Sequence, residues 1–229
     1  MKRIITLLFA TIVAFSLFTS CGNSASTNGK SNKQLAKDSI ARAKFVKDSI
    51  ARAEFVKDSI ANAERNAEII KTHKALFNED KDEFSGFSWV KPKDAPKYRN
   101  RNGVFCYFQL EDGRASNFRF VYQYYADDWL FIKNMIFNFD GEQNTTIVPQ
   151  METDCGSGGM IWEWCDENVT KDGSSGVTEQ FIKDIINAKT VKVKMNGQQY
   201  YDTKTLTEQQ IKSIKNTYEY YVAMGGKFY

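Results

Sequence analysis

Two hydrophobic rhythms divide this chain. Between residues 34 and about 78, apolar positions recur every ten residues. Ala36-Lys37-Asp38-Ser39-Ile40-Ala41-Arg42-Ala43-Lys44-Phe45 is followed by Val46-Lys47-Asp48-Ser49-Ile50-Ala51-Arg52-Ala53-Glu54-Phe55, and a third copy begins at Val56. Alanine and long charged side chains favour helix, and no proline or glycine interrupts residues 31–85. Asp38 with Arg42, and Asp48 with Arg52, place opposite charges one turn apart. A helix over 34–78 would be roughly 65 Å long. Ten residues rotate a helix by about 1000°, about 80° short of three turns, so Ile40, Ile50 and Ile60 do not stack in a straight stripe. A heptad seam keeps facing a partner helix and this pattern does not, which favours a solvated single helix over a coiled coil.

From about Phe84 the period changes to two. Val104–Leu110 alternates as a strand, and Asp112-Gly113 signals a hairpin into a second strand with Phe118, Phe120, Tyr122 and Tyr124 on one face. Further strands are predicted over Trp129–Phe139, Thr145–Met151 and Met160–Cys165. Turns at Ala126-Asp127-Asp128, Asp140-Gly141 and Gly156-Ser157-Gly158-Gly159 join them. Val177–Ala188 is an amphipathic helix carrying Phe181, Ile182, Ile185 and Ile186. Val191, Val193 and Met195 alternate with lysines before Asn196-Gly197, which turns into Gln198–Tyr201. Thr207 and Gln210 have capping-box spacing ahead of a helix with Ile211, Ile214, Tyr218 and Val222 as its stripe, ended by Gly225-Gly226. The expected class is α+β: a long N-terminal helical stalk, then an antiparallel sheet domain with two amphipathic helices. A β-sandwich with peripheral helices is the alternative.

The chain's start adds a third element. Met1-Lys2-Arg3 precedes an apolar run from Ile4 to Phe18 and then Thr19-Ser20-Cys21. The run is short for a membrane span and has the proportions of an export signal. The arrangement resembles the signal peptide of bacterial lipoproteins. That resemblance implies cleavage before Cys21, lipidation of its sulfur and retention on a bilayer by more than one acyl chain. The organisation expected is therefore a signal peptide over 1–20, a flexible tether over 21–33, a helical stalk over 34–80 and a globular domain over 84–229. Asp38-Ser39-Ile40, Asp48-Ser49-Ile50 and Asp58-Ser59-Ile60 resemble the O-glycosylation acceptors of exported Bacteroidota proteins, which implies glycans on Ser39, Ser49 and Ser59. The phrases Tyr124–Lys133 and Gly158–Glu163 are loosely similar to bacterial lipoproteins of the Bacteroidota. That likeness bears on location and domain extent and carries no activity.

Removing residues 1–20 from the 229-residue chain leaves 209, enough for one cored domain and an extended element. The net charge of +3 falls with the loss of Lys2 and Arg3, and nothing here calls for nucleic acid. With Cys21 lipidated, Cys106, Cys155 and Cys165 remain, and Cys155–Cys165 across the glycine-rich turn is the first disulfide to test. Cys106 shares parity with Val104, Phe108 and Leu110 and is expected in the core. No metal-ligand spacing occurs, no cofactor is indicated, and the single histidine, His73, has no neighbours to work with.

Candidate chemistry is sparse. Glu163 lies between Trp162 and Trp164, so both tryptophans share one face and Glu163 the other. At a solvated edge Glu163 does nothing chemical. In a cleft it could act in hydrolysis with Asp154 or Asp166. Asp127 and Asp128 read as turn residues. Tyr98, Tyr124, Tyr125 and Trp129 are the candidate aromatic surface for an envelope protein or a glycan. The leading expectation is a non-catalytic binding or scaffold module, anchored to the cell envelope through Cys21 and presented on the stalk, with the periplasmic side slightly favoured over the cell surface. A Glu163 hydrolase and a structural protein assembled through its stalk are the alternatives.

Overall fold

A computed structural model describes residues 32–229. The expected signal peptide, Cys21 and most of the tether lie outside the described residues. The described residues divide into two units, one ending at Phe55 and the other running from Val56 to Tyr229. A single helix, α1 (Asn32–His73), crosses that division and carries the whole repeat. Its apolar members Ile40, Phe45 and Phe55 remain 69%, 72% and 71% exposed. Ser39, Ser49 and Ser59 are all exposed, and the Ser49 hydroxyl donates to the Phe45 carbonyl at 2.8 Å. No helix among the described residues is long and apolar enough to cross a membrane.

The second unit is α+β, as the alternation predicts, but its strands form two sheets. Strands β1 (Phe77–Lys81), β2 (Ser88–Pro92), β3 (Gly103–Glu111) and β4 (Arg114–Ala126) make an antiparallel meander. The sheet continues through β8 (Ile161–Asn168) to β7 (Glu152–Cys155). A four-stranded sheet has the order β10-β9-β5-β6, built from β5 (Asn134–Phe139), β6 (Gln143–Ile147), β9 (Val191–Asn196) and β10 (Tyr201–Thr205). Both sheets are open, so the sandwich alternative is not the architecture.

One hydrophobic core joins the sheets with α2 (Glu179–Asn187) and α3 (Glu208–Ala223). Phe120 and Phe137 bring the two sheets together, with ring centroids 6.2 Å apart. Phe181 of α2 packs on Phe137 at 4.8 Å, and Tyr221 of α3 packs on Phe118 at 5.0 Å. Phe118, Phe120, Tyr122 and Tyr124 are all buried on one face of β4, and Cys106 is fully buried, both as their parity requires. Thr207 and Gln210 form both halves of the predicted capping box. The buried face of α3 is rotated from the predicted stripe, because Thr217, Tyr220 and Tyr221 point inward while Val222 is 41% exposed.

Four departures have local causes. The domain starts earlier than residue 84, since β1 already pairs with β2. Its sequence, Phe-Asn-Glu-Asp-Lys, has one buried residue, the signature of an edge strand and not of alternation. Residues 127–133 are a loop and not the start of a strand, because the buried Glu163 carboxylate captures three of its backbone N–H groups. The predicted Thr145–Met151 strand stops at Ile147, and β7 begins beyond it at Glu152. After Asn196-Gly197, the return strand begins at Tyr201, so the loop is longer than a two-residue hairpin. A Cβ at Gly197 would collide with the Leu130 carbonyl oxygen, which also accepts from Gln198 N at 3.0 Å. This glycine serves close approach between two loops and not a left-handed turn.

Candidate functional site

Strand alternation gives the six-stranded sheet two different faces. The inner face belongs to the core. The outer face carries Trp89 and Lys91 from β2, Phe105 and Tyr107 from β3, Arg119, Val121 and Gln123 from β4, and Trp162, Trp164 and Asp166 from β8. Most of these residues, with Pro96, Lys97, Tyr98 and Arg99, line a cavity of about 410 Å³. That size falls within the roughly 300–1,000 Å³ range of small-molecule sites.

The segment 93–102 lies over this face and is fixed near both ends. Asp94 accepts from Gln209 at 2.6 Å and from Ser213 at 2.9 Å, both on α3. Asn102 accepts from Tyr125 N at 3.1 Å and donates to Tyr125 O at 3.3 Å, substituting for a strand neighbour. Gly103 follows, where a Cβ would lie 2.6 Å from Pro96 Cγ, so the strap closes tightly onto β3.

The floor is aromatic. Trp89 packs on Tyr107 at 5.0 Å, and Phe105 lies 6.3 Å from Tyr107. Cations sit on these rings: Lys91 Nζ is 4.8 Å from the Phe105 centroid, and the Arg99 guanidinium is 4.5 Å from that of Trp164. Asp166 is engaged by its neighbours, accepting from Tyr107 Oη at 2.6 Å and from Arg119 Nε at 2.9 Å. Burial, reinforced by the hydrogen bond to Asp166, pushes the Tyr107 phenol well up, so it remains a neutral donor. With Asp166 countered by Arg119, three cations (Lys91, Lys97 and Arg99) face one carboxylate, Asp80. Among the described residues Lys91 has no ion-pair partner within 4 Å. Burial pulls its ammonium pKa down, Asp166 and Asp80 pull it back up, and Arg99 lowers it further. Two buried polar atoms among the lining residues have no hydrogen-bond partner among the described residues: the donor Trp164 Nε1 and the acceptor Gln123 Oε1.

The predicted site residues are dispersed. Tyr98 is at the cavity, 60% exposed. Tyr124 points to the opposite face and is buried in the core, while Tyr125 sits beside Trp162 at the end of β4. Trp129 belongs to the 127–133 loop and stacks on Phe131 at 5.2 Å with an interplanar angle of 8°. The four therefore form no common surface.

Glu163 faces inward with Ile161 and Cys165, as its parity predicts, but neither expected setting holds. It is fully buried, accepting from Leu130 N, Phe131 N and Ile132 N, each at 2.8 Å. Asp154 is in register with Trp162, and Asp166 lies two residues beyond Trp164, so both are on the outer face. The sheet separates Glu163 from either aspartate, and the carboxylate pair proposed for hydrolysis does not form.

Cys155 and Cys165 are free thiols. Cys155 is opposite Ile161, which places it four residues, about 13 Å, along the strands from Cys165, beyond disulfide reach. No group of three potential metal ligands occurs among the described residues. His73 does have a partner, with Nε2 3.3 Å from Glu219 Oε2.

Trp89 reads from sequence as part of a non-regular lead-in segment, packed over the end of the sheet or exposed for a ligand; it lies on a regular strand, β2, and lines the cavity. Lys91, Phe105, Tyr107, Arg99 and Gln123 were not singled out from sequence. Parity alone could have paired Phe105 with Tyr107 and Trp162 with Trp164. Placing both pairs beside Trp89 required the strand order. Compared with protein-family models, curated proteins and solved structures, the chain matches none of them.

Proposed function

We propose that this chain is a cell-envelope lipoprotein, held at a bilayer through Cys21, whose α+β domain acts as a non-catalytic binding module on a helical stalk. The basic start, apolar run and Cys21 support the anchor. The uninterrupted α1 supports the stalk, since a tether of defined length sets how far a bound domain can search. Ser39, Ser49 and Ser59, all exposed on that helix, are its proposed glycan acceptors. The observation that carries the binding half of the reading is the aromatic and basic cavity on the outer face of the six-stranded sheet. Concave aromatic surfaces with a few convergent charges are built for recognition. Its one carboxylate pair, Asp80 and Asp166, is divided, because Asp166 is already committed to Tyr107 and Arg119.

Two measurements test the two halves. Cys21→Ser should lose membrane retention in cell fractionation; unchanged retention and processing would overturn the anchor. The Cys21→Ser chain should co-sediment with washed cell-envelope material, and Trp89→Ala in that background should abolish most of the co-sedimentation while keeping its circular dichroism. Equal sedimentation of the two chains would remove the cavity from the reading, and no sedimentation of either would remove the binding module.

A further inference from the structure

We propose that the outer-face cavity binds a carboxylate-bearing saccharide, a uronic-acid type of glycan. The inference rests on the binding-module reading and gives its site a ligand class. Three features of the cavity converge on that chemistry.

The aromatic floor suits the C–H face of a pyranose ring. Ring faces carry negative charge density and attract the weakly positive C–H edge of a sugar, at little entropic cost because the rings are fixed by one another. Trp89 and Tyr107, 5.0 Å apart at 55°, form an angled shelf of this kind.

The charge pattern asks for an anion. Lys91 is half-buried over Phe105 with no ion pair within 4 Å among the described residues, and Arg99 and Lys97 stand on the strap beside it. Taking a lysine partly out of water costs more than the more distant Asp166 and Asp80 return, and a ligand carboxylate would offset that cost. These are side-chain cations and not the backbone N–H cradle of a helix N-terminus that typifies phosphate sites.

The partnerless polar atoms ask for hydroxyls. Trp164 Nε1 can only donate, and Gln123 Oε1 can only accept. A carboxylate or phosphate oxygen could satisfy the first and not the second. A sugar hydroxyl both donates and accepts, so adjacent hydroxyls can serve both. An anionic saccharide is the ligand class that uses floor, wall and orphan atoms together.

The test is tryptophan fluorescence and calorimetry on the Cys21→Ser chain with three probes: a tetrasaccharide of galacturonic acid, its carboxyl-reduced galactose counterpart, and pentaglutamate. The acidic saccharide should bind at least 10-fold tighter than the other two. Lys91→Gln and Arg99→Ala should each weaken it about 5-fold or more, while binding of the neutral sugar changes less than 2-fold. Arg99 is exposed on the strap, so its variant checks the result if Lys91→Gln perturbs folding. Equal affinity for the reduced sugar would overturn the acidic class and leave a sugar site. Equal affinity for pentaglutamate would overturn the saccharide and leave a charge site. If none of the probes binds while the chain still co-sediments with envelope material, the ligand class fails and the binding module stands.

Discussion

Glu163 and Trp164 are adjacent in β8 and face opposite sides of one sheet, and they show how differently its two faces are built. On the inner side a charged group is fully buried, yet its carboxylate has three backbone donors at 2.8 Å. On the outer side an indole N–H is shielded from water without a hydrogen-bond partner among the described residues, in a cavity it shares with a lysine whose nearby carboxylates do not offset its burial. Buried polar groups in folded proteins are nearly always satisfied, and the exceptions concentrate where something else binds or reacts. The inner face spends its polar chemistry on the fold, and the outer face holds some in reserve. A carboxylate among tryptophans is thus no guide to function by itself. The informative quantity is whether its hydrogen bonds are already made.

The contrast breaks most severely at Glu163. Glu163→Ala strands three N–H groups of residues 130–132 beside a new cavity, and Phe131, held at φ 51°, loses the contact that supports its left-handed backbone. We expect a loss of about 3–5 kcal/mol in urea denaturation. Glu163→Gln keeps an acceptor and should lose less. A loss under about 1 kcal/mol for the alanine variant would mean that the loop does not depend on this carboxylate.

A second probe is alkaline pH. Burial pushes Tyr124 and Tyr221 up to about 12, and it raises Tyr122 and Tyr107 further. In the unfolded chain these phenols ionise near pH 10. Between pH 10 and 12 the folded state therefore holds more protons than the unfolded state, so stability falls as pH rises. Urea midpoints should begin to fall near pH 8.5, where the unfolded chain ionises the Cys106 and Cys165 thiols that burial holds protonated in the fold, and should fall more steeply above about pH 10. A midpoint unchanged at pH 11 would contradict the burial of these rings.

Smaller still is Gly103→Ala. The added Cβ meets Pro96 on the strap and stands 3.1 Å from Gln123 Oε1. The strap can shift, so the cost should be about 1–2 kcal/mol, at the mild end of overpacking. The cavity changes shape with it, and affinity for the envelope material should drop more than stability does. If stability falls and binding is untouched, the strap is not part of the site.

Much of the fold was legible because local rules and tertiary structure agree. The Asp112-Gly113 and Asp140-Gly141 turns, the buried parity of β4 and the capping box at Thr207 each follow from a few neighbouring residues. The illegible parts are those settled by distant partners. Apolar patterning extends Trp129–Phe139 as one strand, and only Glu163, more than thirty residues away, ends it. The site was harder than the fold. Trp89, Phe105, Tyr107 and Trp164 come from three strands, and Tyr98 and Arg99 from a segment whose course is fixed by the hydrogen bonds of Asp94 to α3. Tyr124 is the opposite case: it shares parity with the buried Phe118, Phe120 and Tyr122, which by itself sets it on the other face from Tyr125 and rules out a common aromatic surface.

The finest test of the two-face contrast is Lys91→Met. Lys91 has a lowered pKa, with burial as the main cause, so folding disfavours its charge. Below its folded pKa both states carry the proton and the full cost is present. As pH rises from there toward 10.5 the folded chain releases its proton first, and the cost disappears. Methionine keeps the apolar stem and removes the charge, so at neutral pH the variant should be more stable than the parent by no more than about 0.5 kcal/mol, because solvent screens this half-exposed charge. The gain should shrink as pH approaches 10. The same variant should bind envelope material less well. Opposite signs for stability and binding are what a residue kept for recognition predicts. If Lys91→Met loses both stability and binding, Lys91 supports the fold like Glu163, and the two faces of the sheet would not differ in kind.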